Sequence, residues 1–334
     1  MRLPKGQIIY EGCHEIMVKI NSVLGPIDTD TLGYTLPHEH VLVSSAGIGF
    51  TYPEFIDRET TLNLGGEQLA SAYEGGVRTI VDLSTLDLGR DVRLLQEVSQ
   101  RSGVNVIVAT GTWRDIPRVF WSASPDDVAS LYVREILEGI EGTDIRAGII
   151  KVANDQGGVT PEGEVILRAA ARAQRCTGVP ISTHTWAPER VGEQQVKIFE
   201  EEGVDLNRVY IGHSNDTADL DYLVGLLEKG VWLGLDRYPG PKEGVTPDWQ
   251  ARTALAKKLI DLGYGDRIML SHDWAVTLGI VSVDMQQERK DNNPHGYLFI
   301  KRVVEPRLLD LGVSPEMITR ITESNPRRFF EGSS

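Results

Sequence analysis

The chain has 334 residues, of which 41% are hydrophobic and 25% are charged, the balance of an ordinary globular protein. This balance excludes a mainly disordered chain, a coiled coil and a collagen-like fibre. The net charge is −14, from 34 basic and 48 acidic residues, which argues against nucleic acid or an anionic membrane surface as a partner. Cys13 and Cys176 are the only cysteines, so neither a disulfide framework nor a thiolate zinc cluster is expected.

The chain also lacks the apolar segments that would direct it to or through a membrane. No apolar run approaches the roughly 18 residues of a membrane span. The N-terminal residues lack the apolar core of a signal peptide. We therefore expect a cytoplasmic protein.

From residue 35 onward, a short apolar run repeatedly precedes an amphipathic stretch. The eight runs, each predicted to be a strand, are residues 35–43, 77–84, 104–110, 147–153, 179–184, 208–213, 231–236 and 267–273. Several runs follow a glycine, which commonly ends a helix before a strand. Apolar residues at helical spacing predict helices over residues 163–177, 192–203, 217–230 and 249–263.

Strands that alternate with helices predict a parallel sheet, and eight such units in about 300 residues predict an α/β protein with a (β/α)8 TIM barrel. A doubly wound sheet is the main rival. However, no Gly-x-Gly-x-x-Gly loop follows the first strand, so dinucleotide binding has no support. We predict a single domain, with residues 1–34 as an N-terminal extension and residues 35–334 as the barrel with its closing helices.

The seven histidines are placed unusually, because nearly all lie at the carboxyl end of a predicted strand, where barrel active sites are built. His38 and His40 are two residues apart on the first strand. Their imidazoles therefore face one side of the sheet, and Glu39 faces the other.

His184 and His213 close the fifth and sixth runs, and Asp273 closes the eighth. A single histidine is more often an ordinary core or surface residue. Four imidazoles and a carboxylate at neighbouring strand ends instead predict a site for zinc or a similar divalent ion. Because five ligands exceed the three of an ordinary catalytic zinc, we expect two metals.

Lys151 is the second unusual residue, because it lies inside the apolar run 147–153. One interpretation is an outward lysine near the barrel rim. The other is an inward lysine whose pKa is lowered by burial. A neutral amine there would be able to react with carbon dioxide, and the resulting carbamate would be an anionic bridge between two cations.

The stretches that carry these residues closely resemble the phosphotriesterase family of the amidohydrolase superfamily, which includes bacterial phosphotriesterases and phosphotriesterase-like lactonases. The matching stretches are residues 25–40, 147–153, 183–185, 192–195, 211–213, 234–238, 271–274 and 325–329. The resemblance implies a TIM barrel with two divalent metals, zinc first, with cobalt, manganese or iron as alternatives. It also implies that carboxylated Lys151 and a hydroxide bridge the two ions. We further expect a homodimer.

The resemblance also assigns roles to individual residues. It implies that His38, His40 and Asp273 hold the more buried ion, and that His184 and His213 hold the more exposed one. The bridging hydroxide would attack a carbonyl or phosphoryl centre. Asp273 would take the proton, and His213 beside Asp236 would pass it outward. A one-metal deaminase of the same superfamily is the runner-up, but it would have no use for Lys151 as a bridging ligand.

The predicted loops resemble two branches of the family. Arg237 and Tyr238 match an arginine and a tyrosine that line the lactone pocket in lactonases. The loop 239–248 is also shorter than its counterpart in phosphotriesterases. Trp113, and Trp274 followed by residues 293–297, instead resemble phosphotriesterases. Four tryptophans are expected to form an apolar wall for a small uncharged substrate: Trp113, Trp121, Trp186 and Trp274.

Three functional hypotheses remain open. The first is a hydrolase of lactones (acyl-homoserine lactones or other γ- or δ-lactones) or related esters, with promiscuous phosphotriesterase activity. The second is a dedicated phosphotriesterase, or aryldialkylphosphatase, that acts on organophosphates. The third is a binding protein on a barrel scaffold, which the complete set of predicted ligands disfavours.

Overall fold

A parallel barrel with surrounding helices forms the body of the protein, as the alternation of runs predicted, in a computed structural model that describes residues 19–240 and 247–332. Expectations for residues 1–18, including Cys13, and for residues 241–246 of the short loop lie outside the described residues. The strands are β1 Lys19–Ser22, β2 Gly25–Asp28, β3 Thr35–Val43, β4 Thr79–Asp82, β5 Asn105–Gly111, β6 Ile149–Asn154, β7 Ile181–Thr185, β8 Val209–Ile211, β9 Trp232–Leu235, β10 Ile268–Leu270 and β11 Ala275–Leu278.

The α-helices cover the outside of the barrel and close its end. They are α1 Ile48–Thr51, α2 Arg58–Glu74, α3 Val92–Ser102, α4 Pro125–Leu137, α5 Pro161–Thr177, α6 Val191–Glu201, α7 Leu220–Glu228, α8 Trp249–Asp261, α9 Val283–Asn292, α10 Glu305–Asp310, α11 Pro315–Thr319 and α12 Asn325–Glu331. Two π-helical turns, Ile300–Val304 and Arg320–Ser324, precede α10 and α12. Within the described residues, no helix combines the length and apolar character needed to cross a membrane.

Local sequence signals set several helix ends. Helix α8 begins at Trp249 because the Asp248 side chain accepts a hydrogen bond from the Ala251 backbone N–H. Helix α5 ends at Thr177 because Gly178 takes a left-handed conformation, with φ of 73°. Both ends match the sequence prediction to the residue.

The eighth strand closes the barrel in two halves. Strand β10 pairs in parallel with β9, and β11 pairs in parallel with β3. In the break between the halves, the Asp273 backbone N–H donates to the His38 carbonyl at 3.1 Å, and the His40 N–H donates to the Trp274 carbonyl at 2.8 Å. The break therefore lies directly beside the two histidines of the first barrel strand.

The base of the barrel is filled by apolar side chains from both ends of the described chain. Ile20 of β1 packs with Phe329 and Phe330 of α12 and with inward-facing strand residues such as Ile149 and Trp232. All five side chains are at most 2% exposed. Because this end is packed, the barrel interior opens only toward the carboxyl ends of the strands.

Four predicted strands end earlier than the sequence suggested, and two of these early ends, those of β8 and β10, release residues of the site; the other two are 77–84, which ends at Asp82, and 231–236, which ends at Leu235. The runs 208–213 and 267–273 were predicted to be strands throughout, but β8 ends at Ile211 and β10 at Leu270. His213 and Asp273 follow in left-handed conformations, with φ of 59° and 54°. The backbone leaves the sheet at His213 because its N–H donates to the Asp236 carboxylate at 2.8 Å rather than to a neighbouring strand.

Candidate metal centre

His38 and His40 project from β3 into the mouth of the barrel, each held by its Nδ1 atom. His38 Nδ1 donates to Asp236 Oδ2 at 2.7 Å, and His40 Nδ1 lies 2.9 Å from Ser84 Oγ. Their Nε2 atoms lie 3.5 Å and 3.3 Å from Asp273 Oδ1. A partner on Nδ1 fixes the tautomer that leaves Nε2 free as a ligand atom.

His184 and His213 form a second pair beside the first. His213 donates from Nδ1 to Asp236 Oδ1 at 2.9 Å, and its Nε2 lies 2.9 Å from His184 Nδ1. The rings of His38 and His213 are 4.8 Å apart. Asp236, which is fully buried, therefore orients one imidazole of each pair from below.

Lys151 points inward from β6 and is 1% exposed. Its Nζ donates to His38 Nε2 at 3.2 Å. The strand can approach β5 this closely because Gly111 has no side chain: a Cβ there would lie 1.9 Å from the Lys151 carbonyl oxygen. Burial lowers the pKa of Lys151 to about 7, so a large fraction of the amine is neutral near neutral pH.

Burial also sets the charge state of the histidines. It lowers the pKa of His184 to about 4, lowers that of His38, and holds that of His213 well below its ordinary value. These imidazoles are therefore neutral at pH 7, the form that binds metals. Burial alone would raise the pKa of Asp273, but its hydrogen bond with His40 and the nearby imidazoles and Arg237 hold it well below the usual range.

The donor set fits divalent metals. Ligand atoms of His38, His40 and Asp273 lie within 4.8 Å of one another, and so do those of His38, His213 and Asp236. His184 Nε2 is buried and makes no hydrogen bond within the described part of the chain. Neutral imidazole nitrogens and carboxylate oxygens suit zinc and neighbouring divalent ions.

Two cavities meet at this cluster. The smaller, of about 180 Å³, is lined by the predicted ligands and by Trp113, whose Nε1 lies 3.4 Å from His184 Nδ1. The larger, of about 650 Å³, extends outward past Tyr238 and Trp274. Arg237 borders both cavities. The four residues predicted to contact substrate are therefore divided between the two spaces, with Tyr238 only 1% exposed.

The expectation that four tryptophans form one wall is wrong. Trp121 is 57% exposed, and its Nε1 donates to the Ile116 carbonyl away from the site. Trp186 lines a separate cavity beside Asp155. Only Trp113 lines the cavity that holds the predicted ligands, since Trp274 borders the outer one. Trp113 and Trp121 follow β5, Trp186 follows β7 and Trp274 follows β10, so three separate loops carry the four residues.

Sequence reasoning missed three residues that touch the cluster. Ser84 orients His40, and Asp155 Oδ1 lies 3.6 Å from His184 Nε2. Ser84 closes the predicted strand 77–84, and Asp155 lies two residues after the predicted strand 147–153, so proximity to a strand end was an available signal. Arg289 of α9 borders both cavities. The position of Arg289 depends on how α9 packs over the barrel mouth, and no local sequence pattern predicts that packing.

A model of the phosphotriesterase family matches residues 18–330. The chain belongs to the phosphotriesterase family. It is 38% identical over 325 residues to the phosphotriesterase homology protein of Mycobacterium tuberculosis, covering 94% of this chain and 98% of that protein. It is 36% identical over 306 residues to the aryldialkylphosphatase of Saccharolobus solfataricus, covering 91% and 96%. It is 24% identical over 352 residues to the N-acetyltaurine hydrolase of Danio rerio, covering 94% and 98%.

Membership of the phosphotriesterase family identifies the general chemistry. Its enzymes are metal-dependent hydrolases that use a binuclear metal centre and act on small esters. The His-rich groups at the carboxyl end of this barrel are capable of binding such a centre.

Proposed function

We propose that this phosphotriesterase-family protein is a two-metal hydrolase of lactones, either acyl-homoserine lactones or other γ- or δ-lactones, or of related esters. We propose a promiscuous phosphotriesterase activity beside it. One observation carries the proposal: six side chains converge at the carboxyl end of the barrel. They are His38, His40, Lys151, His184, His213 and Asp273.

Distances support a division of these residues between two ions. His38, His40 and Asp273 would hold one ion, and His184 and His213 would hold the other. Lys151, as a carbamate, would lie between them. When bound, the two ions supply Lewis acidity and lower the pKa of a shared water.

The proposed proton acceptor is Asp273. Its Oδ2 lies 4.0 Å from His213 Nε2 and 3.3 Å from Arg237 Nε. Its carboxylate is ionised at neutral pH because the surrounding imidazoles and guanidinium lower its pKa. His213 would not take this proton itself, because its Nδ1 donates to Asp236 at 2.9 Å and its Nε2 would bind the second ion; Asp236 and His213 are therefore positioning residues beside Asp273.

Cavity size supports a small ring as the reacting part of the substrate. The inner space is about 180 Å³, and the two proposed ions would fill part of it, so it admits only a compact reacting group beside them. A five- or six-membered lactone ring is such a group. Substituents on the ring would extend past Arg237 into the outer cavity.

The second candidate is a dedicated phosphotriesterase. Trp113 supports it, because its indole packs edge-on against His184 with ring centres 5.8 Å apart and presents an apolar wall to the inner cavity. A relative of similar length is named aryldialkylphosphatase. The two candidate functions use the same metal ligands. They differ in whether the loops fit the transition state of lactone cleavage or that of phosphotriester cleavage.

The test is a substrate panel with protein loaded with zinc or cobalt, comparing kcat/KM for γ- and δ-lactones, acyl-homoserine lactones, aryl esters and paraoxon-like triesters. A higher kcat/KM for a lactone than for any triester supports the proposal. The reverse order supports the dedicated phosphotriesterase. Two bound ions with no turnover of any substrate would contradict both and leave the binding-protein hypothesis.

A further inference from the structure

Arg289 is a cation at the boundary between the two cavities. It lies on α9, and its side chain lines both the inner and the outer cavity, as do those of Arg237 and Asp273. Its guanidinium carbon lies 5.4 Å from the centre of the Trp274 ring, and one Nη donates to the Asp273 carbonyl at 3.4 Å. The guanidinium is thus held against the site rather than extended into solvent.

Arg289 differs from its neighbour Arg237 in how its charge is balanced. Arg237 donates to Asp216 at 2.6 Å and to Asp273 at 3.3 Å. Within residues 19–240 and 247–332, no carboxylate lies within 4.0 Å of the Arg289 guanidinium. Glu288 also lines the outer cavity, but it is exposed and forms no ion pair with Arg289. Burial and the charge of Arg237 lower the pKa of Arg289, which remains cationic at neutral pH.

The ion pairs near the site include Arg237 and Arg252 but not Arg289. The guanidinium groups of Arg237 and Arg252 pair with Asp216 and Asp273 within 3.3 Å, and the buried Asp236 carboxylate holds His38 and His213. Asp216 is shared by Arg237 and Arg252, and the proposed function uses Asp273 as a metal ligand. Arg289 therefore has a carbonyl oxygen and an aromatic ring beside it but no carboxylate. A half-buried cation with only these neighbours is costly unless something else supplies the opposite charge.

We propose that the substrate supplies it: the lactone or ester cleaved here carries a carboxylate or phosphate group, which Arg289 binds in the outer cavity. This inference rests on the proposed function and narrows its lactones and esters to those with an anionic substituent, whereas an uncharged substrate was expected from the sequence. A guanidinium presents paired N–H donors that match a carboxylate or phosphate in two-point contact. The reacting ring would occupy the inner cavity, and the anionic substituent would lie beyond Arg237.

The experiment compares a matched pair of γ-lactones that differ only in charge: 5-oxotetrahydrofuran-2-carboxylate and its carboxamide. A third lactone, with a pendant phosphate monoester, distinguishes the two kinds of anion. The quantity measured is the ratio of kcat/KM for the charged lactone to that for the neutral one, because the ratio cancels any loss common to both. The protein is the full chain with metals bound.

We expect the wild-type ratio to exceed 10 and to fall as salt screens the interaction. Arg289→Met should lower the ratio by roughly 10- to 100-fold, mainly through KM, the scale for one lost charge-assisted hydrogen bond. Arg289→Lys, which keeps the positive charge, should lower the ratio less than Arg289→Met does. Lys290→Met is the matched control: it removes the next positive charge on α9, borders neither site cavity, and should leave the ratio unchanged.

The outcomes separate this inference from the proposed function. If the wild-type protein hydrolyses neither lactone nor any ester, the proposed function fails. If it hydrolyses both lactones with a ratio near one, and Arg289→Met leaves that ratio unchanged, the proposed function stands and the anion site is refuted. If Arg289→Met and Lys290→Met lower the ratio of kcat/KM equally, the effect comes from the overall positive charge of α9. That result also refutes a specific contact between Arg289 and the substrate.

Discussion

Glu39 offers a sharp test of how the barrel positions Asp273. The side chain is fully buried on the outer side of β3. Its Oε1 accepts hydrogen bonds from Ser271 Oγ at 2.7 Å, His272 N at 2.9 Å and His272 Nδ1 at 2.6 Å. Its Oε2 accepts one from Trp274 N at 2.9 Å. One carboxylate therefore holds the residues on both sides of Asp273, in the break between β10 and β11.

The substitution Glu39→Gln keeps the shape but turns one acceptor oxygen into a donor. The least costly orientation places the new NH₂ where Oε2 was, facing the Trp274 N–H. That loses one charge-assisted bond, about 1.5–3 kcal/mol, and leaves a buried donor unsatisfied, about 1–3 kcal/mol. We expect the free energy of unfolding to fall by about 4 kcal/mol, the middle of the summed range, which a domain with a stability of about 5–15 kcal/mol survives. Glu39→Ala would lose all four bonds and is too disruptive to interpret.

The assay combines urea unfolding, metal content and kcat/KM on the best substrate of the panel. We expect Glu39→Gln to lower kcat/KM at least tenfold, because Asp273 loses its fixed position. The control is Glu141→Gln, which removes a carboxylate that pairs with Arg90 at 3.1 Å and does not line the site. Wild-type stability and activity in Glu39→Gln would refute the reasoning. Lost stability with unchanged metal content and turnover would mean that Glu39 only closes the barrel.

Three further predictions concern the proposed metal and substrate residues. Lys151→Ala should lose bound metal and activity, with partial rescue of both by added short carboxylic acids; full metal content without rescue would contradict the carbamate. Asp273→Asn should lower turnover by roughly 10²–10⁴-fold while the protein retains its metal, and the loss should be larger for substrates with poor leaving groups than for activated triesters. If metal analysis instead shows lost metal as the only effect, Asp273 acts only as a ligand. Arg237→Ala should lower kcat/KM for lactones more than for paraoxon-like triesters, and equal losses would mean that Arg237 only supports the fold.

The barrel was predictable because short, largely apolar runs alternate with amphipathic stretches along the chain. The run 35–43 coincides with β3, and α8 begins at the predicted Trp249. The two-part eighth strand was not predictable, because its second half pairs with β3 rather than β9. That choice depends on barrel closure, a long-range event that leaves no local pattern. The β1–β2 hairpin was missed for the same reason, since its stability comes from packing Ile20 into the barrel base.

Parts of the candidate site could be anticipated from spacing and the rest could not. The alternation of side chains along a strand was enough to predict that His38 and His40 face the same side of the sheet. Lys151 was identified because it is the one charged residue in an apolar run. The lack of a carboxylate beside the Arg289 guanidinium is evident only in three dimensions, because its neighbours come from the loop after β9, the β10–β11 break and α9 itself. The prediction of a tryptophan wall was wrong because residue type alone does not determine the path of a loop.

The sealed base of the barrel also constrains when the chain can finish folding during synthesis. Ile20 and the Phe329–Phe330 pair belong to one apolar cluster, and Thr29 Oγ1 donates to Glu331 Oε1 at 2.6 Å across 302 residues of sequence. The ribosome must therefore release α12 before the interior can be closed off from water. Until then, the inward faces of the strands remain open at the base and are a surface on which nascent chains would aggregate. The base of this barrel can therefore be sealed only after residues 20–330 have all been synthesised.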